Sequence, residues 1–464
     1  MESVANTTNQ ANEHVEWDQA TKRKIVFLLC IILFFSVMNG TMFMIAVPDI
    51  QAHYQLLPSE VSWVVTGYII LYAVGALIYG KLADIYPLKK LIVIGLILFS
   101  TGSILGFLAP NYVTVVAARM VQATGAAAIP ALGFIIPSRY FPNEKGRVLG
   151  VISSTMAFAS GIGPVMGGFI VGVLSWQYLF LVSVLVLVTV PFFQKWMPDE
   201  EKKVGKVDMP GAGLIAAGVT TLILFITTFQ WEYLLLSLIF FVLFAWQIRR
   251  SDDPFIRPDV FTNVPFRTTI LAGFLGIFAM FSMMFMLPLF LSEVNHLDAM
   301  HIGFVLFPGA MGAALIGRLA GRLTDQYGSR RIVYLALGLM VTGFFLLSTF
   351  AGTPPWLVSI VLIVSYIAFP FLQTSTANLL STVLPKERIG IGMGIYNLCN
   401  FMSGAFAGAI IGKMLDLNQT KMLLNPIAQA DGVAMIYSNI FVGLVMLTVL
   451  NGAYFYLVFR KIDV

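Results

Sequence analysis

Charge is scarce in this sequence. Asp, Glu, Lys and Arg make up 11% of its 464 residues, while 58% are hydrophobic. A water-soluble domain carries roughly 25% charged residues. So few charges cannot coat a surface that faces water, which excludes an ordinary soluble globule and leaves lipid as the main solvent. The mean hydropathy of +0.86 agrees. Cysteine is nearly absent as well. Cys30 and Cys399 each lie inside an apolar run, so neither a disulfide framework nor metal-ligand spacing is present. His14, His53, His296 and His301 are scattered and add no metal motif. No sizeable soluble domain, clustered acid/base set or nucleotide motif exists, which argues against an enzyme, a receptor or a nucleic-acid binder. Finally, all 23 Asp and Glu fall in loops, tails or the ends of apolar runs. No carboxylate is expected at the middle of a bilayer.

What is present is length without charge. Runs long enough to cross a bilayer fall at 25–47, 60–80, 91–109, 112–138, 148–173, 177–194, 211–228, 233–248, 268–292, 301–320, 332–351, 356–383, 390–412 and 434–458. These are helices 1 to 14 in order. The first twenty residues are polar, and run 25–47 exceeds a signal-peptide core, so it reads as a retained helix rather than a cleaved leader. The net charge of +5 could suggest an acidic partner, but the placement of the charges argues otherwise. Of 28 Lys and Arg, 25 fall at one set of alternating helix ends, and only Arg119, Lys413 and Lys421 fall elsewhere. The positive-inside bias then puts those ends, and both termini, in the cytoplasm.

Sliding the chain against itself by 241 residues aligns Gly80, Leu82, Asp84 and Tyr86 with Gly321, Leu323, Asp325 and Tyr327. Lys89 and Lys90 meet Arg330 and Arg331, Lys145 and Arg147 meet Lys386 and Arg388, and Gly163 and Gly167 meet Gly404 and Gly408. Chance similarity among Gly-rich helices does not explain the matched charges. Helices 1–6 and 9–14 therefore read as parallel copies with helices 7 and 8 inserted. The expected division is a tail at 1–24, a six-helix bundle at 25–196, a linker with two extra helices at 197–266, and a second six-helix bundle at 267–464. Parallel halves of this kind belong to transporters that bind substrate near midplane between them.

Several motifs carry a family resemblance. The segments Gly80–Lys90 (GKLADIYPLKK) and Gly321–Arg331 (GRLTDQYGSRR) resemble the signature loop of the major facilitator superfamily. In that loop Gly permits close helix approach and Asp pairs with a neighbouring helix end to lock one conformation. The second copy fits better, because the first has Pro87 and Leu88 where Gly and Arg are usual. Helix 4, with Arg119, Gln122, Gly125 and Ala126 to Ala128, is similar to the family's helix-4 motif, with Ala123 replacing Gly. Helix 5, with Gly150, Gly163, Pro164, Gly167 and Gly168, resembles the antiporter motif of drug exporters, with Ala159 in place of one Gly. Trp176, Asp208, Gly211 and the Asp253–Phe261 stretch resemble the fourteen-helix drug:proton antiporter branch. The helix-1 stretch FFSVMNGTMFMIAVPDI looks closest to Gram-positive tetracycline-type exporters.

The resemblance implies an all-α major facilitator fold with two six-helix bundles and two inserted helices. It also implies a monomer in a bacterial plasma membrane, exporting a small amphiphilic compound by alternating access. No cofactor is expected, the energy coming from a proton gradient. A native metabolite, lipid or peptide, differently driven, is the alternative cargo. Many members of the branch carry a carboxylate at the position of Asn39, and tetracycline-type exporters at those of Gly40 and Ser160; this chain has none of them. Coupling, if by protons, would fall to boundary acids such as Asp49, Asp84 or Asp325, or to the substrate itself.

Arg119 is the one charge placed well inside a predicted span, and intramembrane charges mark functional sites by default. Without a nearby acid its partners are Asn39, Gln122, backbone carbonyls, cavity water or substrate. The alternative is a hydrated residue near the outer end of helix 4 that locks packing. Further cavity candidates are Gln373, Thr374, Ser375 and Asn378 on helix 12 and Tyr396, Asn397 and Asn400 on helix 13, since polar groups avoid hydrocarbon. Met280, Met283, Met284 and Met286 among Phe278, Phe281 and Phe285 offer an adaptable surface, although a lipid-facing or core stripe at helical spacing accounts for them more simply. Tyr68 and Tyr72 could line the outer half of the pathway, while Trp63 suits interfacial anchoring as well.

Overall fold

A chain in hydrocarbon must bond its backbone groups internally, so the long apolar runs become helices. The computed structural model describes residues 19–141, 145–200, 202, 208–251, 262–385, 389–417, 422–428 and 430–460. The stretch Asp253–Phe261 and residues His14, Lys203, Lys206, Arg257, Lys386, Arg388, Lys421 and Lys461 lie outside them. Among the described residues no strand occurs, and fourteen helices are long and apolar enough to span a membrane. Helices 1 to 4 are Gln19–Ile45, Pro58–Ile85, Leu88–Phe107 and Tyr112–Pro137. Helices 5 to 8 are Lys145–Val173, Tyr178–Trp196, Met209–Thr228 and Trp231–Arg250. Helices 9 to 14 are Val264–Glu293, Ala299–Tyr327, Ser329–Thr349, Pro355–Val383, Ile389–Leu417 and Val433–Phe459.

Local chemistry sets several boundaries. The side chains of Asn111, Asp208, Asn263 and Asp298 each accept a bond from a backbone N–H three residues on, capping helices 4, 7, 9 and 10. Proline explains the interruptions, because it lacks the N–H that the preceding turn needs. Helix 1 ends at Ile45, just before Pro48, and a short helix, Val47–Tyr54, follows it. Helix 4 is broken at Ala127, three residues before Pro130. Helix 6 tightens to a 3-10 turn at Leu185–Thr189, just before Pro191.

Two six-helix bundles result, helices 1–6 and 9–14. Within each, the first helix packs on the fifth and the third on the fourth, and helices 11 and 12 are the later equivalents of 3 and 4. The bundles meet where helix 5 lies on helix 10 and helix 2 on helix 13. These seams need backbone contact without side chains. A Cβ on Gly168 would strike the carbonyl of Ala299 and lie 3.1 Å from Met300 Cα, and one on Gly412 would lie 2.8 Å from both Pro58 O and Ser59 Cα. All of these residues sit at the end of the bundle opposite the basic loops, and there the two halves are closed. Helix 7 packs across helices 2 and 13. Helix 8 leans on helix 7, burying only Ser237, whose Oγ donates to the Gly218 carbonyl at 2.9 Å.

Candidate functional site

Arg119 lies two turns into helix 4 and is 1% exposed. Its Nη1 donates to Asn39 Oδ1 at 2.8 Å and to Gln122 Oε1 at 2.5 Å, and its Nε to the Val64 carbonyl at 3.3 Å. The guanidinium carbon is 4.0 Å from the ring centroids of both Phe43 and Tyr68, so aromatic faces cover the charge. The amides pass the network on. Asn39 Nδ2 donates to Ser183 Oγ at 2.6 Å, and Gln122 Nε2 to Ser103 Oγ at 2.7 Å. Helices 1, 2, 3, 4 and 6 are thereby tied through one cation. Neither a hydrated position nor one open to a cavity describes Arg119 in this conformation. It is sealed inside the first bundle among neutral partners, and Asn39 and Gln122, both 0% exposed, are sealed with it.

The second bundle holds a neutral counterpart. Tyr396 is buried on helix 13, its hydroxyl 2.5 Å from Thr376 Oγ1 and donating to the Gln373 carbonyl at 3.3 Å. Asn400, one turn on, is also buried. Gly273 on helix 9 makes room for both: a Cβ there would lie 3.0 Å from the Tyr396 ring and 3.5 Å from Asn400 Oδ1. The side chains of Gln373 and Asn397 are exposed, while Asn378 and Thr374 are half-buried; Ser375 is buried and bonds back to its own helix.

Between the bundles lies a cavity of about 20 Å³, lined by Thr41, Met44, Ser160, Pro164, Met284 and Tyr366 among others. That is room for about one water, not for a drug-sized solute. Of the helix-9 stripe, Met280, Met283 and Met286 are core and only Met284 reaches this cavity. Ser160 is the helix-5 position at which the resemblance led one to look for a carboxylate; Thr41 and Tyr366 were not singled out from sequence, since single polar atoms on apolar helices leave no pattern to find. Tyr72 stacks on Tyr68 and meets Phe401 of the other bundle edge-on at 4.9 Å, so aromatic rings run from the Arg119 cage to the second half.

The helix-5 glycines serve two faces. Gly163 and Gly167 lie against Thr41 and Met42 of helix 1, whereas Gly168 faces helix 10, where Gly303 in turn lies against the Pro164 carbonyl. Among the signature-loop acids, Asp84 is 83% exposed and 3.9 Å from Arg139, and Asp325 is exposed. The N-terminus of helix 3, where Pro87 and Leu88 depart from the usual loop, is instead closed by Glu200, which accepts from the Leu88 N–H at 2.8 Å and from Arg139 at 3.2 Å. Asp49 is half-buried just beyond helix 1. Burial above all, with the Asp298 carboxylate nearby, holds its carboxyl above the ordinary 3.8, although its backbone bond works the other way. Asp298 itself is held low by the His301 backbone N–H and ring. His53 packs on Tyr54 and Trp176. Among the described residues no group of His, Cys, Asp and Glu could hold a metal ion.

Comparison with known proteins places this geometry. The Major Facilitator Superfamily profile matches residues 29–409. The chain is 29% identical over 413 residues to a protein of Clostridioides difficile (strain 630) named riboflavin transporter RibZ, covering 85% of this chain and 89% of that one. It is 26% identical over 398 residues to multidrug resistance protein Stp of Mycobacterium tuberculosis (strain CDC 1551 / Oshkosh), covering 82% and 74%. Among solved structures, a bacterial homologue of the human lysosomal transporter Spinster superposes with a TM-score of 0.69 at 12% identity, over 96% of this chain and 98% of that one. The two bundles, the inserted pair and the profile match agree: this chain belongs to the Major Facilitator Superfamily of transporters.

Proposed function

We propose that this protein is a secondary active exporter that moves small amphiphilic compounds out of a bacterial cell by alternating access. In this reading the basic end is cytoplasmic, following the distribution of Lys and Arg, and the closed end described above faces outward. One observation carries the substrate class. Every Asp and Glu among the described residues lies in a loop, in the short helix after helix 1, or in a terminal turn of a helix, while Arg119 sits inside the first bundle. A cation buried in the bundle that flanks the pathway, with no carboxylate at mid-span among the described residues, disfavours cationic cargo through its field. Neutral, zwitterionic or anionic amphiphiles fit, with the amides and hydroxyls of Gln373, Asn378, Tyr396, Asn397 and Asn400 as hydrogen-bonding partners when the halves part. The multidrug resistance name of the Mycobacterium relative favours drug-type cargo.

A second reading, export of a native metabolite, is favoured by the relative named a riboflavin transporter. Riboflavin is a neutral aromatic ring system with polar edges, and so satisfies the same charge rule. Proton coupling belongs to the proposal: Asp49, Asp84 and Asp325 are the candidate carriers, with glycines 163, 167 and 168 and Pro164 providing the sliding faces. The test is efflux from loaded cells expressing the chain, with riboflavin, tetracycline and ethidium compared. Riboflavin or tetracycline should leave faster than from control cells, and ethidium at the control rate. Ethidium efflux equal to that of riboflavin or tetracycline would refute the charge rule.

A further inference from the structure

Two of the three basic residues outside the basic end lie among the described residues, and Lys413 is the second of them. Helix 13 carries it in its last turns, with Asp416 one turn further. The Asp416 side chain is 6% exposed, and its Oδ1 accepts the backbone N–H of Ser59, at the start of helix 2 in the other bundle, at 3.1 Å. Its Oδ2 is 4.0 Å from Lys413 Nζ. That ammonium also lies 5.0 Å from the centroid of the Phe229 ring. Phe229 closes helix 7, where its left-handed backbone (φ 57°) ends the first inserted helix. Three modules therefore meet at one point: the first bundle through Ser59, the second through Asp416 and Lys413, and the inserted pair through Phe229.

The repeat makes the arrangement conspicuous. At the offset of 241, Lys413 and Asp416 correspond to Gly172 and Ser175, and Ser59 to Met300. The helix 5–helix 10 seam is thus neutral at the place where the helix 2–helix 13 seam carries a charge pair. Gly172 simply packs on Met300 there, its virtual Cβ 3.1 Å from Met300 Cβ. A charged acceptor on a backbone N–H is stronger than a neutral one, and a carboxylate this enclosed is costly to leave without its partner.

We propose that Asp416 and Lys413 form the latch that holds the end opposite the basic loops closed, and that the inserted helices set its strength through Phe229. Opening that end separates Ser59 from Asp416, so the latch stabilises the closed state alone. Lys413, drawn toward both the Phe229 ring and Oδ2, keeps the carboxylate oriented. The inserted pair, which straddles the same seam through helix 7, thereby gains a role in gating. The inference rests on the alternating-access reading.

The test is a distance measurement on the full chain in lipid nanodiscs, with Cys30 and Cys399 replaced. Spin labels at Val113 and Trp356, both exposed at this end on opposite bundles, report its opening by pulsed electron resonance. Asp416→Ala should raise the ratio of the long-distance to the short-distance population about tenfold, the loss expected for a charge-assisted bond. Asp416→Asn should fall between it and the parent, and Lys413→Met and Phe229→Ala should shift the ratio a few-fold in the same direction. Distributions of Lys413→Met, Phe229→Ala and Asp416→Asn that superimpose on the parent would overturn the latch, even should Asp416→Ala not fold. The readout needs no substrate, so failure here would leave the exporter reading standing, and absent transport would leave the latch measurable.

Discussion

At the scale of single residues, the first bundle is organised around one cation. Arg119 makes three hydrogen bonds and two ring contacts. Removing it strands the Asn39 and Gln122 oxygens in an apolar interior. Arg119→Ala should therefore cost about 2–4 kcal/mol of stability, read as a lowered Tm in detergent. Arg119→Lys should recover little, because an ammonium is not a plane that two rings can sandwich while Nε also reaches the Val64 carbonyl. An unchanged Tm in both variants would contradict the network. Asp49 gives the pH counterpart. Its carboxyl is raised above 3.8 in the fold, so its contribution favours the fold when protonated and fades as pH rises through that raised value. Asp49→Asn should flatten the gain in Tm on acidification from about pH 6 to about pH 4; an unaltered slope would contradict it. Sequence alone made Arg119 conspicuous as a charge inside a span and named Asn39 and Gln122 beside it. Ser103, Ser183, Phe43 and the Val64 carbonyl were not legible, since they come from four other helices with no spacing relating them. Burial of all three named residues was not legible either, because composition does not say which face of a helix meets its bundle and which meets a pathway.

At the scale of elements, apolar run length located all fourteen candidate spans among the described residues, because length and hydropathy alone decide whether a segment can cross lipid, but not the short helix Val47–Tyr54. Interruptions were missed where proline sits inside a run. Run-finding passes smoothly over Pro130 and Pro191, yet each removes a backbone donor and interrupts or tightens the helix around it. The glycine pattern of helix 5 was visible, but its division between helix 1 and helix 10 was not, since both partners meet the same helix a fraction of a turn apart. That division yields a prediction. Gly168→Val pushes a branched side chain into the Ala299 carbonyl and Met300, so closure of that end fails and efflux should fall about tenfold or more, with insertion intact. Gly213→Ala on helix 7, with nothing within 4 Å of its virtual Cβ, is the control and should export normally. Equal efflux by the two variants would show that the seam does not have to close that tightly.

At the scale of the whole molecule, two six-helix bundles meet through two related seams, an inserted pair leans on one of them, and the closed contacts gather at the end away from the basic loops. The repeat at an offset of 241 made this architecture readable before any contact was known, because charged loop positions recur along with the apolar runs. The interior chemistry is the unusual part: a cation and two amides sealed inside the first bundle, with the described acids at the ends of the fold. Outward, proton-driven movement of an amphiphile without net positive charge is tested most directly by uptake into everted membrane vesicles. With an acid interior imposed, vesicles containing this chain should accumulate riboflavin or tetracycline above control vesicles, and collapsing the pH gradient should abolish the excess. Accumulation that is indifferent to the gradient, or that occurs only in right-side-out vesicles, would contradict the account.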